Sequence, residues 1–106
     1  MDAKVVLDEA RPGLSAEIIS ASERKRLCSR TLHTYEQWIA QYLAFNDLSN
    51  PFNLSERNVK EFFRHIIRRL SPSRARLNQA RQAIEFLYDQ VLRRPLEPEA
   101  LELPVS

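Results

Sequence analysis

The sequence predicts an all-α domain, a small bundle of three main helices with a short fourth. One glycine in 106 residues, with no Asn-Gly or Asp-Gly pair, leaves little material for tight hairpins. Long stretches repeat apolar residues at helical spacing. Breaks containing proline, serine or asparagine separate those stretches. An apolar content of 43% in a chain of this length suits one domain with a modest core.

Residues 1–13 carry mixed charge and close on Pro12-Gly13, which reads as a flexible lead. Residues 14–28 offer a short helix, with Ser15 as N-cap and Leu14, Ile18 and Ile19 on one edge. The first main helix runs from about Thr31, its expected N-cap, to Phe45. Tyr35, Trp38, Ile39, Tyr42 and Leu43 hold the i, i+3, i+4, i+7, i+8 register of a buried stripe. Residues 46–53, with Pro51 inside, break it. Ser55 caps the second helix, and Leu54 and Val59 are placed as a hydrophobic staple. Val59, Phe62, Phe63, Ile66, Ile67 and Leu70 keep its period, while Arg57, Lys60, Arg64, Arg68 and Arg69 make the opposite face basic. Ser71 precedes Pro72 and is pushed out of the α region, so the helix stops there. The third helix runs to about Leu92 or Arg93 over Leu77, Ala80, Ile84, Leu87, Tyr88 and Val91, and Pro95 and Pro98 end it. Residues 14–95 are the expected domain, and 96–106 read as an acidic linker or a short extra helix.

The net charge of +2 conceals a division. From Arg24 to Arg94 there are 14 Lys/Arg against 6 Asp/Glu, about +8, whereas the two ends hold 2 against 8, about −6. A basic middle suits a polyanion, nucleic acid above all. A soluble helical surface rich in arginine is the plainer reading of the same charges. Cys28 is the single cysteine, so no internal disulfide forms, and a reduced, cytoplasmic setting is expected. No apolar run approaches the ~20 residues of a membrane span, no secretory signal is evident, and no membrane partner is expected.

Reactive groups are scarce. His33 and His65 stand outside any metal-binding spacing, so no metal is expected. With Gly13 the only glycine there is no phosphate loop, and no cofactor is expected. No catalytic residue is assigned. Two helix starts carry the nucleic-acid signal. Arg30, Thr31, His33 and Thr34 cluster at the first. Ser71, Ser73, Arg74, Arg76, Asn78 and Arg81 gather at the third, with Arg74, Asn78 and Arg81 one turn apart and directed away from the core. Arginine meets guanine or phosphate, asparagine meets adenine or phosphate, and free backbone N–H groups at a helix start attract anions. The same serines and threonines also serve as plain caps. The aromatics keep the core register and read as core before they read as a base-stacking platform.

These residues resemble the N-terminal core-binding, SAM-like domain of tyrosine recombinases of the phage-integrase type, closest to integron integrases and more distantly Xer recombinases. Arg30-Thr31-Leu32-His33-Thr34-Tyr35 is similar to the polar-Thr-x-x-x-Tyr opening of that family's first core helix, with Trp38-Ile39 and Phe45 following. Pro51 falls where a His-Pro pair is frequent. Val59, Phe62 and Phe63 resemble the second helix, and Phe86-Leu87-Tyr88-Asp89-Gln90-Val91-Leu92 the close of the third. Leu103-Pro104-Val105 resembles the linker into the catalytic domain. The resemblance spans about Ile18 to Val105. The sequence departs from the family at Asp47, where glycine is common, and in a short connection between the second and third helices.

The resemblance implies the gripping half of a site-specific recombinase. Such a domain holds one face of a double-stranded or folded single-stranded recombination site, beside other recombinase protomers. The family's catalytic arginines, lysine, His-x-x-Arg motif and nucleophilic tyrosine belong to a C-terminal domain that this sequence does not reach, so Tyr35, Tyr42 and Tyr88 read as core and no strand cleavage is expected of this chain. The rival expectation is a helical protein–protein interaction module, which needs an exposed apolar patch where a DNA clamp needs a continuous basic face.

Overall fold

The computed structural model describes residues 2–103. Among them are five α-helices, a π-helical turn, two short 3-10 helices and no strand, an all-α fold as the sequence predicts.

The N-terminal stretch departs from the expected flexible lead. α1 (Ala3–Ala10) buries Ala3, Leu7 and Ala10, an i, i+4, i+7 stripe packed on α3 (Ser29–Phe45). α2 (Leu14–Arg24) starts after Gly13, whose φ of 86° is the left-handed conformation glycine adopts without strain. Ser15 is not the cap expected of it. It lies buried inside the first turn and donates to the Asp8 carboxylate from its N–H (3.0 Å) and its hydroxyl (2.9 Å). A side chain of α1 thus caps α2. These hydrogen bonds, the backbone one first, hold Asp8 below the usual carboxylate range.

α3 begins two residues earlier than expected. Cys28 occupies the N-cap position and Thr31 is already helical, its hydroxyl 3.2 Å from the Cys28 sulfur. α2 and α3 end alike. Leu27 N–H reaches back to Ser22 O (2.9 Å) and Arg26 N–H to Glu23 O (3.1 Å). Leu48 N–H likewise reaches Leu43 O (2.8 Å), and Asp47 N–H reaches Ala44 O (3.1 Å). Both are Schellman closures, and both place a non-glycine residue in the left-handed region, Arg26 at φ 55° and Asp47 at φ 56°. Asp47 is the position where the resembling family favours glycine, and the backbone supplies the reason.

α4 (Glu56–Leu70) starts at Ser55 as expected. Asn58 Oδ1 accepts from the Ser55 N–H (2.9 Å) and hydroxyl (3.2 Å). Leu54 and Val59 are both buried, and Phe62, Phe63 and Ile66 complete the inner face. Ser71 ends it as expected, but in the left-handed region at φ 42° and not in the extended backbone that a following proline favours. α5 (Arg74–Phe86) is capped by Ser73, whose hydroxyl oxygen accepts from Arg76 N–H at 3.2 Å. The expected α-helix through Leu92 instead finishes as a π turn over Leu87–Val91. Phe86, Leu87 and Tyr88 are buried consecutively along it.

Beyond the π turn, Arg94 donates to Leu54 O (2.6 Å) with its guanidinium 5.1 Å from the Tyr88 ring centre. The stretch expected as an acidic linker, residues 96–106, is docked over its described part. Leu96 and Ala100 are buried, and the 3-10 turn Pro98–Leu101 packs on α4. Pro104 and Val105 lie outside the described residues. At the centre of the bundle Tyr88 donates to Pro51 O (3.1 Å). Its one proton is spent there, so the 2.8 Å contact between the two hydroxyls has Tyr42 donating to Tyr88. Burial raises the pKa of both phenols.

Candidate nucleic-acid interface

The two helix starts singled out by sequence meet, but only in part. α3 and α5 pack together. On one flank of their contact lies an open depression of about 280 Å³ lined by His33, Thr34, Gln37, Trp38, Gln41, Arg76 and Gln79. His33 and Thr34 come from the first expected cluster and Arg76 from the second. The Arg76 guanidinium lies 5.4 Å from the centre of the buried Trp38 ring, a cation–π contact that steers it toward α3. No ion pair among the described residues engages Arg76.

The glutamines were missed by sequence reasoning. His33, Gln37 and Gln41 stand at i, i+4 and i+8, one face of α3, and Gln79 lies three residues after Arg76. That periodicity was present in the sequence, but glutamines on an isolated helix look like solvated surface. No carboxylate lines the depression. Its donors and acceptors are amides, a hydroxyl, an imidazole and a guanidinium, groups that read base edges and bind phosphate.

The other expected residues are placed differently. Arg30 is exposed and Thr31 half-buried in the first turn of α3. The Thr31 hydroxyl, with backbone N–H groups beside it, pulls the exposed Cys28 thiol below its ordinary pKa. Ser71 closes α4, and Ser73 spends its hydroxyl oxygen on capping α5. Arg74 is exposed and Asn78 half-buried. Arg81 does not join the cleft. It lines a separate depression with Glu85, Leu96, Pro98, Leu101 and Glu102, and its guanidinium is 3.9 Å from the Glu85 carboxylate. The one-turn spacing that grouped Arg74, Asn78 and Arg81 says nothing of which flank of α5 meets α3.

His65 is exposed on α4 and stacks on Phe45. Among the described residues no group of three or more His, Cys, Asp or Glu could hold a metal ion. No described helix is long and apolar enough to cross a membrane. The exposed large apolar residues, Val5, Phe45, Phe52 and Leu70, fall on four different elements, and Arg11 covers the Phe52 ring at 4.8 Å.

The family described as phage integrase, N-terminal SAM-like domain matches residues 14–98. No curated protein matches the sequence. The matched span takes in α2 to α5 and so both helices that build the cleft.

Proposed function

The chain belongs to the family of phage integrase N-terminal SAM-like domains, which carries an integrase-type role in DNA recombination, and from that premise we propose that it grips a recombination-site duplex at the junction of α3 and α5. The observation that supports this reading is the carboxylate-free cleft, where Arg76 and His33 stand among Thr34, Gln37, Gln41 and Gln79. Arg76 supplies charge for a phosphate or a guanine edge, and the glutamine amides match adenine in the major groove. Arg30, Thr31 and Arg74 extend the surface past the two helix starts, where backbone N–H groups and the helix dipoles favour phosphate. The parent activity on this reading is that of a tyrosine recombinase, nearest the integron integrases. This domain holds the site, alongside other protomers, while a separate domain cuts.

The test is a fluorescence-anisotropy titration with a recombination-site duplex over a series of salt concentrations. Binding is expected at low salt, with log affinity falling by about 0.9 per log unit of salt for each phosphate contact. Absence of duplex binding even at low salt sinks the proposal.

A further inference from the structure

α5 carries a second polar stripe on a flank that the cleft does not use. Arg74, Asn78, Arg81 and Glu85 follow one another at i, i+4, i+7 and i+11. Arg76 stands about 140° round the helix from Arg81, at about 3.6 residues per turn. Arg74 is exposed and makes no ion pair among the described residues. Arg81 is 3.9 Å from the Glu85 carboxylate, the outer edge of an ion pair, and the two side chains keep 31% and 49% exposure. Glu85 alone therefore offsets only part of its charge. The C-terminal segment closes over the rest: Leu96, Leu101, Glu102 and Leu103 complete a depression of about 560 Å³ with Arg81 and Glu85. Residues 96–103 hold three glutamates and no lysine or arginine.

The segment is fastened lightly. Leu96 and Ala100 are buried, Glu97 N–H donates to the Glu56 carboxylate at 3.2 Å, and Arg94 holds its start to Leu54 O. Glu97, Pro98 and Glu99 are exposed. Its internal hydrogen bonds, Ala100 N–H to Glu97 O (2.9 Å) and Glu102 N–H to Glu99 O (3.3 Å), are those of a single 3-10 turn. An element with so few buried contacts opens well below the free energy of global unfolding.

We propose that residues 96–103 are a self-docked mask that withholds Arg81 from polyanions, and that undocking them adds the Arg74–Asn78–Arg81 stripe to the surface that binds DNA. Docked, the mask confines a duplex to the α3–α5 cleft. Undocked, it takes away Glu102 and the leucine wall, and α5 presents arginines on both flanks. The mask regulates the proposed gripping site and rests on that reading for its ligand. The masking itself acts on any polyanion, because charge is all that it hides.

The test compares the intact chain with two variants. Ala100→Gln puts a side chain too large for the buried site and undocks the segment without changing its charge. Glu102→Gln removes one exposed carboxylate and leaves the segment docked. Amide exchange reads the docking: in Ala100→Gln the Glu97 and Glu102 amides are expected to exchange about tenfold faster while those of α3 do not change. Binding is titrated at low salt against a blunt duplex and against inorganic polyphosphate. Ala100→Gln is expected to tighten both about threefold and to steepen the duplex salt slope by about 0.9, one added phosphate contact. Arg81→Ala is expected to stay within about twofold in the intact chain and to cost about three- to fivefold in the Ala100→Gln background. Equal effects of Arg81→Ala in both backgrounds, or no tightening once exchange shows the segment undocked, overturn the inference. Where Ala100→Gln unfolds or stays docked, Glu102→Gln decides: Arg81→Ala must cost more in that background than in the intact chain, or the inference fails. If the duplex binds none of these chains while polyphosphate shows the coupling, the gripping role fails and the mask stands.

Discussion

α3 meets α5 and the π turn that finishes it in two places, which use similar chemical groups in opposite ways. Between Tyr42 and Tyr88 the contact is closed: both rings are fully buried, and each hydroxyl has a partner in the chain from Tyr42 through Tyr88 to the Pro51 carbonyl. Around Trp38 the contact opens, and His33, Gln37, Gln41, Arg76 and Gln79 border a depression. Buried polar groups must be paired to be tolerated, so the first region spends its hydrogen bonds on the fold. The side chains of the second make no hydrogen bond among the described residues, and on the proposed reading they are kept for a ligand. If that contrast is right, substitutions in the first region act on stability and those in the second on binding, with little crossover.

Tyr88→Phe should show the largest effect. It strands the Tyr42 hydroxyl inside the bundle and takes one of two donors from the Pro51 carbonyl, which keeps the Leu54 N–H at 3.1 Å. At about 1–3 kcal/mol for the stranded hydroxyl and about 1 kcal/mol for the lost hydrogen bond, the expected loss is about 2–4 kcal/mol, read as a lower midpoint in urea unfolding. Tyr42→Phe should cost less, because Tyr88 keeps Pro51. Alkali probes the same pair. Burial raises both phenol pKa values in the folded state, so the unfolded chain ionises first. Their contribution is fully present below about pH 10 and is lost as pH rises above it, by up to about 1.4 kcal/mol per pH unit for each tyrosine. A stability curve flat through pH 11 would contradict a buried, proton-bearing pair.

Arg76→Ala comes next, and it addresses the open region. It should reduce duplex affinity by about 5- to 100-fold, the range of one good arginine contact, and lower the salt slope by about one unit if the contact is a phosphate. The cation–π contact with Trp38 costs the fold no more than about 1 kcal/mol. A large drop in melting temperature with unchanged binding would move Arg76 into the structural class and break the comparison.

The closed region was more legible in the sequence than the open one. Tyr42, Ile39, Phe62, Phe63 and Ile84 announce themselves because a buried stripe follows one helix's own period. α1 is hard to read because its stripe is short and built on two alanines, and Pro12-Gly13 signals a break whether or not a helix precedes it. The tyrosine chain was invisible, since it joins residues 46 positions apart. The cleft was half legible: cations and capping residues at a helix start point to an anion in any sequence, whereas Gln37, Gln41 and Gln79 acquire meaning only where α3 faces α5. Helical spacing grouped Arg81 with Arg74 and Asn78; the same register pairs Arg81 with Glu85 at i, i+4, but nothing in one helix could show that this flank faces the C-terminal segment.

Asp47→Gly tests a smaller term outside both regions. The chain turns through the left-handed region at Asp47 with φ 56°, where glycine carries no Cβ penalty. The gain expected from relieving it is about 0.5–1 kcal/mol, net of glycine's greater freedom in the unfolded chain. For a domain of this size that is a rise of several degrees in melting temperature, on the order of 2–8 °C. Duplex affinity should not move, because the turn lies at the far end of α3 from His33.

The smallest effect should belong to Arg81→Ala, and it separates two accounts of the open region. If any arginine on α5 serves the duplex through the general field of a basic domain, Arg81 and Arg76 should lose similar affinity. If the site is the cleft itself, they should not. Arg81 faces Glu85 at 3.9 Å in a different depression, so its charge is largely offset within the chain. Its exposed i, i+4 pair contributes only about 0.3–0.5 kcal/mol to the helix. Duplex affinity for Arg81→Ala within about twofold of the unsubstituted chain, beside a clear loss for Arg76→Ala, would tie binding to the geometry of the α3–α5 junction. Equal losses would return it to net charge.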